Sequence, residues 1–523
     1  MYNTYTIYMK IKHTNIIIGA GPSGIQCAYY FKKYNIPYII LEKHEKAASF
    51  FNKYPHSGKL ISINKKNILS ENNDFKLRHD WNSLLNDENH LFTNYSDEFY
   101  PNREELFEYL NDFVLNNDLN VFYKKNVFKI LKKNNEYTIF IENSNEIYIC
   151  DKLIIATGLS TPHIPKFVYN VLTMPKHYYD FDKDYFKKKQ NLINYSKKNI
   201  AIIGDGNSAY EIGNILLSHT NKTIIIGKKY KNNWSISSHY AGGLRSNYFA
   251  FMDSFYLKSL NAISEFNIIN EEEITIFQNT LGKYCAVNNE TNIVSFDDID
   301  EIILCTGWKF DTSIFEFTID IHNKYPMVKN NFESTSHDNL FFIGSLMHSI
   351  DKKKSSGGFI HGFRYLIHIF IKINYNISFD KYSYKVPIDI NNIADKVIDR
   401  INNSSDIYQM FGYICDIIIL NKEVNEIMYF ENMLDNILDT KNDFYIFYIY
   451  LKYGNFTNDI RELPTRKTSI GFESQATFLH PVIIIKKNDI VIEIIHFDED
   501  LFAEFRYKSQ WYDRIVRLLK SYI

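Results

Sequence analysis

Short apolar runs that end in glycine recur along this chain. Asn15 to Ile18 reads as a buried strand, Ile25 to Lys33 has the apolar spacing of a helix, and PYIILE reads as a second strand ending at Glu42. The order returns at 199–226: the strand NIAII, a glycine turn, a helical pattern, then the strand TIIIG. Two more apolar strands, DKLIIATGLSTP (151–162) and DEIILCTGWKF (300–310), both run into Thr-Gly. NLFFIGSLMHS (339–349) predicts a strand ending at Gly344, and SSGGFIHGFRYLIHIF (355–370) a glycine-rich turn feeding a helix. From about 373 the glycine turns stop. NNIADKVIDRINNSSDIYQMFGYICDIIIL predicts helices, FLHPVIIIKKNDIVIEIIHF two strands joined at Lys-Asn-Asp, and DLFAEFRYKSQWYDRIVRLLK a closing amphipathic helix.

The two glycine turns carry the chemistry. In the first, Gly19-Ala-Gly21-Pro22-Ser23-Gly24, Gly19 permits the tight turn, Gly21 lets the backbone approach a pyrophosphate, and Gly24 lets helix and strand pack closely. The helix N-terminus then offers unpaired N–H groups to phosphate. Glu42 stands 23 residues after Gly19, where an acid accepts hydrogen bonds from a ribose. Lys43 beside it, and Thr157, Gly158 and Gly344 at their strand ends, complete the candidates for this dinucleotide. The second turn is Gly204-Asp-Gly206-Asn207-Ser208-Ala209, with Ala in the third glycine's place. Its position equivalent to Glu42 is Gly227, followed by Lys228 and Lys229. An acid there would repel a 2′-phosphate and a lysine pair would attract it, which predicts NADPH rather than NADH. The bland alternative is two solvated lysines in a lysine-rich chain. The chain thus carries one dinucleotide to keep, FAD, and one to consume, NADPH.

Composition narrows the setting. With 59 basic and 61 acidic residues the net charge is −2, which points to neither nucleic acid nor an anionic membrane. Twenty glycines in 523 residues is a low share, so each clustered glycine is a stronger signal. Five scattered cysteines with no Cys-x-x-Cys argue against a disulfide framework, a zinc site or a thioredoxin-type pair. The polar N-terminus MYNTYTIYMKIKHTN, a C-terminus LLKSYI unlike a retention signal, and no long apolar span predict a soluble cytoplasmic protein.

The double glycine layout, GAGPSG, GDGNSA and the two Thr-Gly strands resemble the flavin-containing monooxygenase superfamily. RHDWNSLL (78–85), KLISINKK (59–66), SSGGFIHGFRY (355–365), YQMFG (408–412) and FLHPVI (478–483) are similar to the FAD-dependent oxidoreductase domain-containing proteins, whose best-known type is the ER flavoprotein associated with degradation. The resemblance runs from about residue 15 to about 485. It implies an α/β fold with two Rossmann-like domains, the NADPH domain (166–299) inserted in the FAD domain (11–165 and 300–372), plus a C-terminal mixed α+β domain (373–523). It implies an oxidoreductase in which NADPH reduces FAD and electrons pass to O2 or a small organic substrate. It also places Asn64 of KLISINKK beside the reactive flavin edge; the alternative is a buried Asn capping local backbone. VLTMPKHYYDF has His177 but neither the Phe nor the Gly of the monooxygenase signature Phe-x-Gly-x-x-x-His. Ser345 rather than Asp follows Gly344, which favours the monooxygenase branch over the disulfide-reductase branch. Arg78 is expected on a phosphate, on a flavin carbonyl or in a structural salt bridge with Asp80 or a neighbour. His79, His348, His361, His239 and Arg245 are minor candidates. The last third is expected to form a lid over the flavin, a homodimer surface or a docking module for a protein partner.

Overall fold

Ile16, Ile17 and Ile18 are buried on both faces, the pattern of a strand inside a parallel sheet covered by helices. The computed structural model describes residues 9–204, 206–227, 263–267, 274–291, 294–351, 355–386, 388–421, 425–435, 444–454, 474, 476, 479–498 and 508–523. Strand Met9–Ile18 pairs in parallel with Ile39–Leu41 (Ile16 opposite Ile39) and with Glu146–Ile155 (Ile16 opposite Leu153). Val121–Phe122 extends one side. On the other, Glu146–Ile155 takes Leu340–Phe342 in parallel at one end and the antiparallel strands Glu136–Ile141 and Val127–Lys133 at the other. Helices Pro22–Lys33 and Ile360–Asn374 pack together on one face.

A second parallel sheet repeats the scheme, in the order Ile263–Asn267, Lys222–Gly227, Asn199–Ile203, Glu301–Leu304, Lys176–His177. The strand of DEIILCTGWKF was expected to rejoin the first unit. It lies instead in the second sheet, because the glycine turn after Asn199–Ile203 needs a strand end at its back, as the first turn has in Ala156. The crossing comes just after it, where Trp308–Lys309 pairs antiparallel with Thr161–Pro162.

The last third builds an antiparallel six-stranded sheet in the order Lys381–Lys385, Glu426–Leu434, Ile414–Asn421, Tyr445–Lys452, His480–Lys487, Ile490–His496. The Lys-Asn-Asp turn appears as expected, with Asn488 and Asp489 both at positive φ, the form that suits a two-residue hairpin. Of the stretch predicted helical, Ile390–Asn403 is a helix, but ICDIIIL is a strand. Its β-branched run is buried on both faces, and Gly412 breaks the helical spacing before it. Helix Lys508–Tyr522 packs on Ile390–Asn403 through Trp511, Ile515 and Leu519, one side chain per turn. No helix of the described residues is long and apolar enough to cross a membrane.

Candidate functional site: two glycine turns and an aromatic wall

The Gly19 N–H donates to Leu41 O at 2.9 Å, and its φ of +101° bends the chain off the strand. A side chain on Gly19 would sit 2.9 Å from Ala156 O, and one on Gly24 would run into Gly19 O. Around Gly21 nothing lies closer than Ala156 O at 3.9 Å, so the turn's outer side stays open to a phosphate. Gly21 is the N-cap and Pro22 stands in the first helical turn. Ser23 is buried and packs on Gly344. Glu42 is 5 % exposed; its Oε2 accepts the Ala20 N–H at 2.8 Å and its Oε1 the His44 N–H at 2.9 Å. The loop amides thus hold the carboxylate against the turn, with lone pairs left for a ribose. Lys43 is exposed next to it; Thr157 and Gly158 are half-buried behind Gly19. The structure brings all these residues to one edge of the first sheet, at the carboxyl ends of its parallel strands.

The second turn copies the first. The Gly204 N–H donates to Ile226 O at 2.8 Å, its φ is +121°, and a side chain there would run into Cys305 O, as Gly19's would meet Ala156 O. Gly206 has open space where a Cβ would go, and it caps helix Asn207–Leu216. Asn207 is exposed and Ser208 half-buried at that helix start. Gly227 ends its strand with no carboxylate where Glu42 stands in the first unit. Lys228, Lys229, His239 and Arg245 lie outside the described residues.

Asn64 is buried. Its Nδ2 donates to Ser96 O at 2.8 Å and Glu98 O at 3.3 Å, which caps local backbone, while its Oδ1 has no partner in the structure. An orphaned buried acceptor is costly, and a ligand N–H or O–H would satisfy it. Asn64 bridges to Asp80, the next residue Trp81 stacks on His361 (centroids 4.5 Å apart), and His361 stacks on Phe359. The segments 59–66, 78–85 and 355–365 therefore form one wall.

Arg78 is turned to the last third of the chain. Its guanidinium is buried and donates to Ser404 O at 2.8 Å and Ile401 O at 2.7 Å, because helix Ile390–Asn403 ends against it with unpaired carbonyls. Arg364 answers from the other side, donating to Leu77, Asp80 and Ser83 carbonyls. His79 packs edge-on against Phe75. The sequence reading missed a seam between the two units. Tyr54, Tyr178, Tyr179 and Trp308 cluster there, with Glu211 accepting the Ser57 N–H at 2.5 Å and the Tyr178 O–H at 2.9 Å. Trp308, one residue past the second Thr-Gly, was the one local signal for it. The five cysteines are buried and unpaired.

Comparison with known proteins agrees with this layout. Residues 16–344 match the family model described as pyridine nucleotide-disulphide oxidoreductase. The FAD-dependent oxidoreductase domain-containing protein 2 of Mus musculus is 30% identical over 518 residues, covering 89% of this chain and 75% of the relative. Its counterpart in Danio rerio is 30% identical over 467 residues, covering 78% of this chain and 65% of that relative. Among solved structures, a flavin monooxygenase from Stenotrophomonas maltophilia overlays with a TM-score of 0.50 at 15% identity, over 70% of this chain and 99% of its own, which shows the fold. The chain belongs to the FAD-dependent oxidoreductase domain-containing protein family, within the two-dinucleotide flavoprotein fold.

Proposed function

We propose that this chain uses NADPH to reduce a tightly held FAD and passes the electrons to O2 or a small organic substrate. The observation that carries this is the doubled turn. Gly19 against Ala156 and Gly204 against Cys305 make the same contacts, each with an open glycine at a helix start, but only the first has its acid. In this reading Gly19, Gly21, Pro22, Ser23 and Gly24 cradle the FAD pyrophosphate, Glu42 holds its ribose, and Thr157, Gly158 and Gly344 line its path. Gly204, Gly206, Asn207 and Ser208 receive NADPH, and Lys228 and Lys229 its 2′-phosphate. The flavin, when bound, supplies the chemistry of taking a hydride from nicotinamide and giving electrons onward. Asn64 Oδ1 orients a donor at the pocket wall. The domain limits 11–165 with 300–372, 166–299 and 373–523 belong to the same proposal, with the second sheet's last central strand moved into the nucleotide unit.

A second reading, an NADPH-dependent reductase or oxidase that does not oxygenate, is favoured by the segment 171–181. There His177 Nδ1 accepts the Tyr179 N–H at 3.0 Å and the Tyr178 O–H is on Glu211, so the segment is occupied in joining the two units. Anaerobic mixing of the purified protein with NADPH or NADH tests the proposal. Flavin bleaching faster with NADPH is expected, and a long-lived oxygen adduct on admitting air selects oxygenation over peroxide release. Bound flavin that neither nucleotide bleaches overturns the proposal.

A further inference from the structure

We propose that His348 and Asp351 form a proton-transfer pair at the flavin end of the pocket, with Asp351 positioning the imidazole and His348 carrying the proton. This rests on the FAD reading above. Gly344 touches Ser23 of the first glycine turn, and His348 lies four residues on in the tight helical turn Gly344–Ser349, about 8 Å along it. Its ring lies close against Gly358: a side chain there would be 2.8 Å from His348 Cδ2. Nδ1 lies 2.9 Å from Asp351 Oδ1, close but off the line of an ideal hydrogen bond. Asp351 is itself fixed, its side chain 1 % exposed and its Oδ2 accepting Ser355 Oγ–H at 2.7 Å and Gly357 N–H at 3.1 Å. Among the described residues no group bonds His348 Nε2, and the side chain keeps 11 % of its surface.

A fixed carboxylate on one ring nitrogen, with the other nitrogen open, is the arrangement that holds an imidazole for proton transfer. Tyr325 faces it edge-on at 5.9 Å, and the Tyr413 hydroxyl, which burial keeps protonated, stands in the field of Asp351. Lys352, Lys353 and Lys354 stand next in sequence, outside the described residues. Reduction of O2 by NADPH takes up one proton: NADPH, H+ and O2 give NADP+ and H2O2. The hydride equivalent leaves an anion on the acceptor. The His348 imidazolium gives it the Nε2 proton and remains neutral, with Nδ1–H toward Asp351.

Two measurements test this. Nitrogen-15 imidazole titration of the protein, with His348→Gln identifying the signal, is expected to show Nδ1–H as the neutral tautomer. Asp351→Asn should remove that preference and populate the Nε2–H tautomer; an unmoved tautomer overturns the pair. In the holoenzyme, His348→Gln should keep its flavin and its bleaching by NADPH, yet slow reoxidation by O2 about 100-fold and flatten its pH profile. Reoxidation by ferricyanide, which takes up no proton, should stay unchanged. An O2 profile equal to wild type means the pair only braces the Ser355–Gly358 turn. A wild-type protein that takes up no FAD overturns the cofactor reading instead, and the imidazole titration, which needs no flavin, still decides the pair.

Discussion

Gly21 and Gly24 are three residues apart and face opposite constraints. A methyl on Gly24 meets Gly19 O at once, whereas one on Gly21 meets nothing closer than Ala156 O at 3.9 Å. Gly24→Ala should therefore cost about 1–3 kcal/mol in overpacking and shift the denaturant midpoint even without cofactor. Gly21→Val should fold with nearly unchanged stability and purify without flavin colour, because its side chain occupies the phosphate's side. A coloured Gly21→Val would remove the pyrophosphate from this turn. These positions were legible in the sequence because a turn, a helix start and an acid at a fixed offset are local. Asn64's orphaned Oδ1 was half legible: the motif marked the residue, but which of its atoms the backbone had already claimed depends on Ser96 and Glu98, 32 and 34 residues away. The partners of Arg78 were not legible for the same reason, since its carbonyl acceptors lie more than 320 residues on.

Between elements, the seam at Glu211 joins helix Asn207–Leu216 to the loop 54–58 and the segment 177–180. Burial raises the Glu211 carboxyl's pKa, and the bonds from Ser57 N–H and Tyr178 O–H oppose that rise. Nearby, the buried Arg103 donates to Lys53 O and Pro55 O and pairs with Asp184 at 2.5 Å. Glu211→Ala strands two part-buried donors and should cost about 1–3 kcal/mol, read as a lower midpoint and as faster protease nicking near 54–58. Full stability in that variant would mean the seam holds nothing. The sequence pattern placed the parallel strands well, because runs such as IIIG and IIAT are buried on both faces. It missed the six residues that lengthen the first strand to Met9, where Lys10, Lys12 and His13 break the apolar run, yet backbone pairing with 146–150 continues. It read ICDIIIL as helical because a short, largely apolar run of seven residues has no period of its own.

At the scale of the whole molecule, acid should unfold this protein early. His56 is fully buried, its Nε2 toward Tyr178 O at 3.0 Å and its Nδ1 without a partner. Burial pulls its pKa down to about 4 from an ordinary 6.5. The unfolded chain therefore takes the proton first. The stability held above pH 6.5 drains as pH falls through 6.5 and stops draining below about 4, a loss of about 3 kcal/mol. His368, stacked on Tyr30 and lowered to about 3 by burial, adds in the same direction. Denaturant midpoints between pH 7 and 4 should fall accordingly, and less steeply in His56→Gln; a flat wild-type profile refutes the assignment.

Two of the buried arginines carry one more consequence. Arg78 ties the wall that holds Asn64 and Trp81 to the end of helix Ile390–Asn403, and Arg364 ties the same wall to helix Ile360–Asn374, so a ligand on that wall shares its binding energy with the chain's final third. Damage at one end would then show at the other. A chain cut within its last third would lose its yellow colour, and a colourless chain would surrender that third to proteases first.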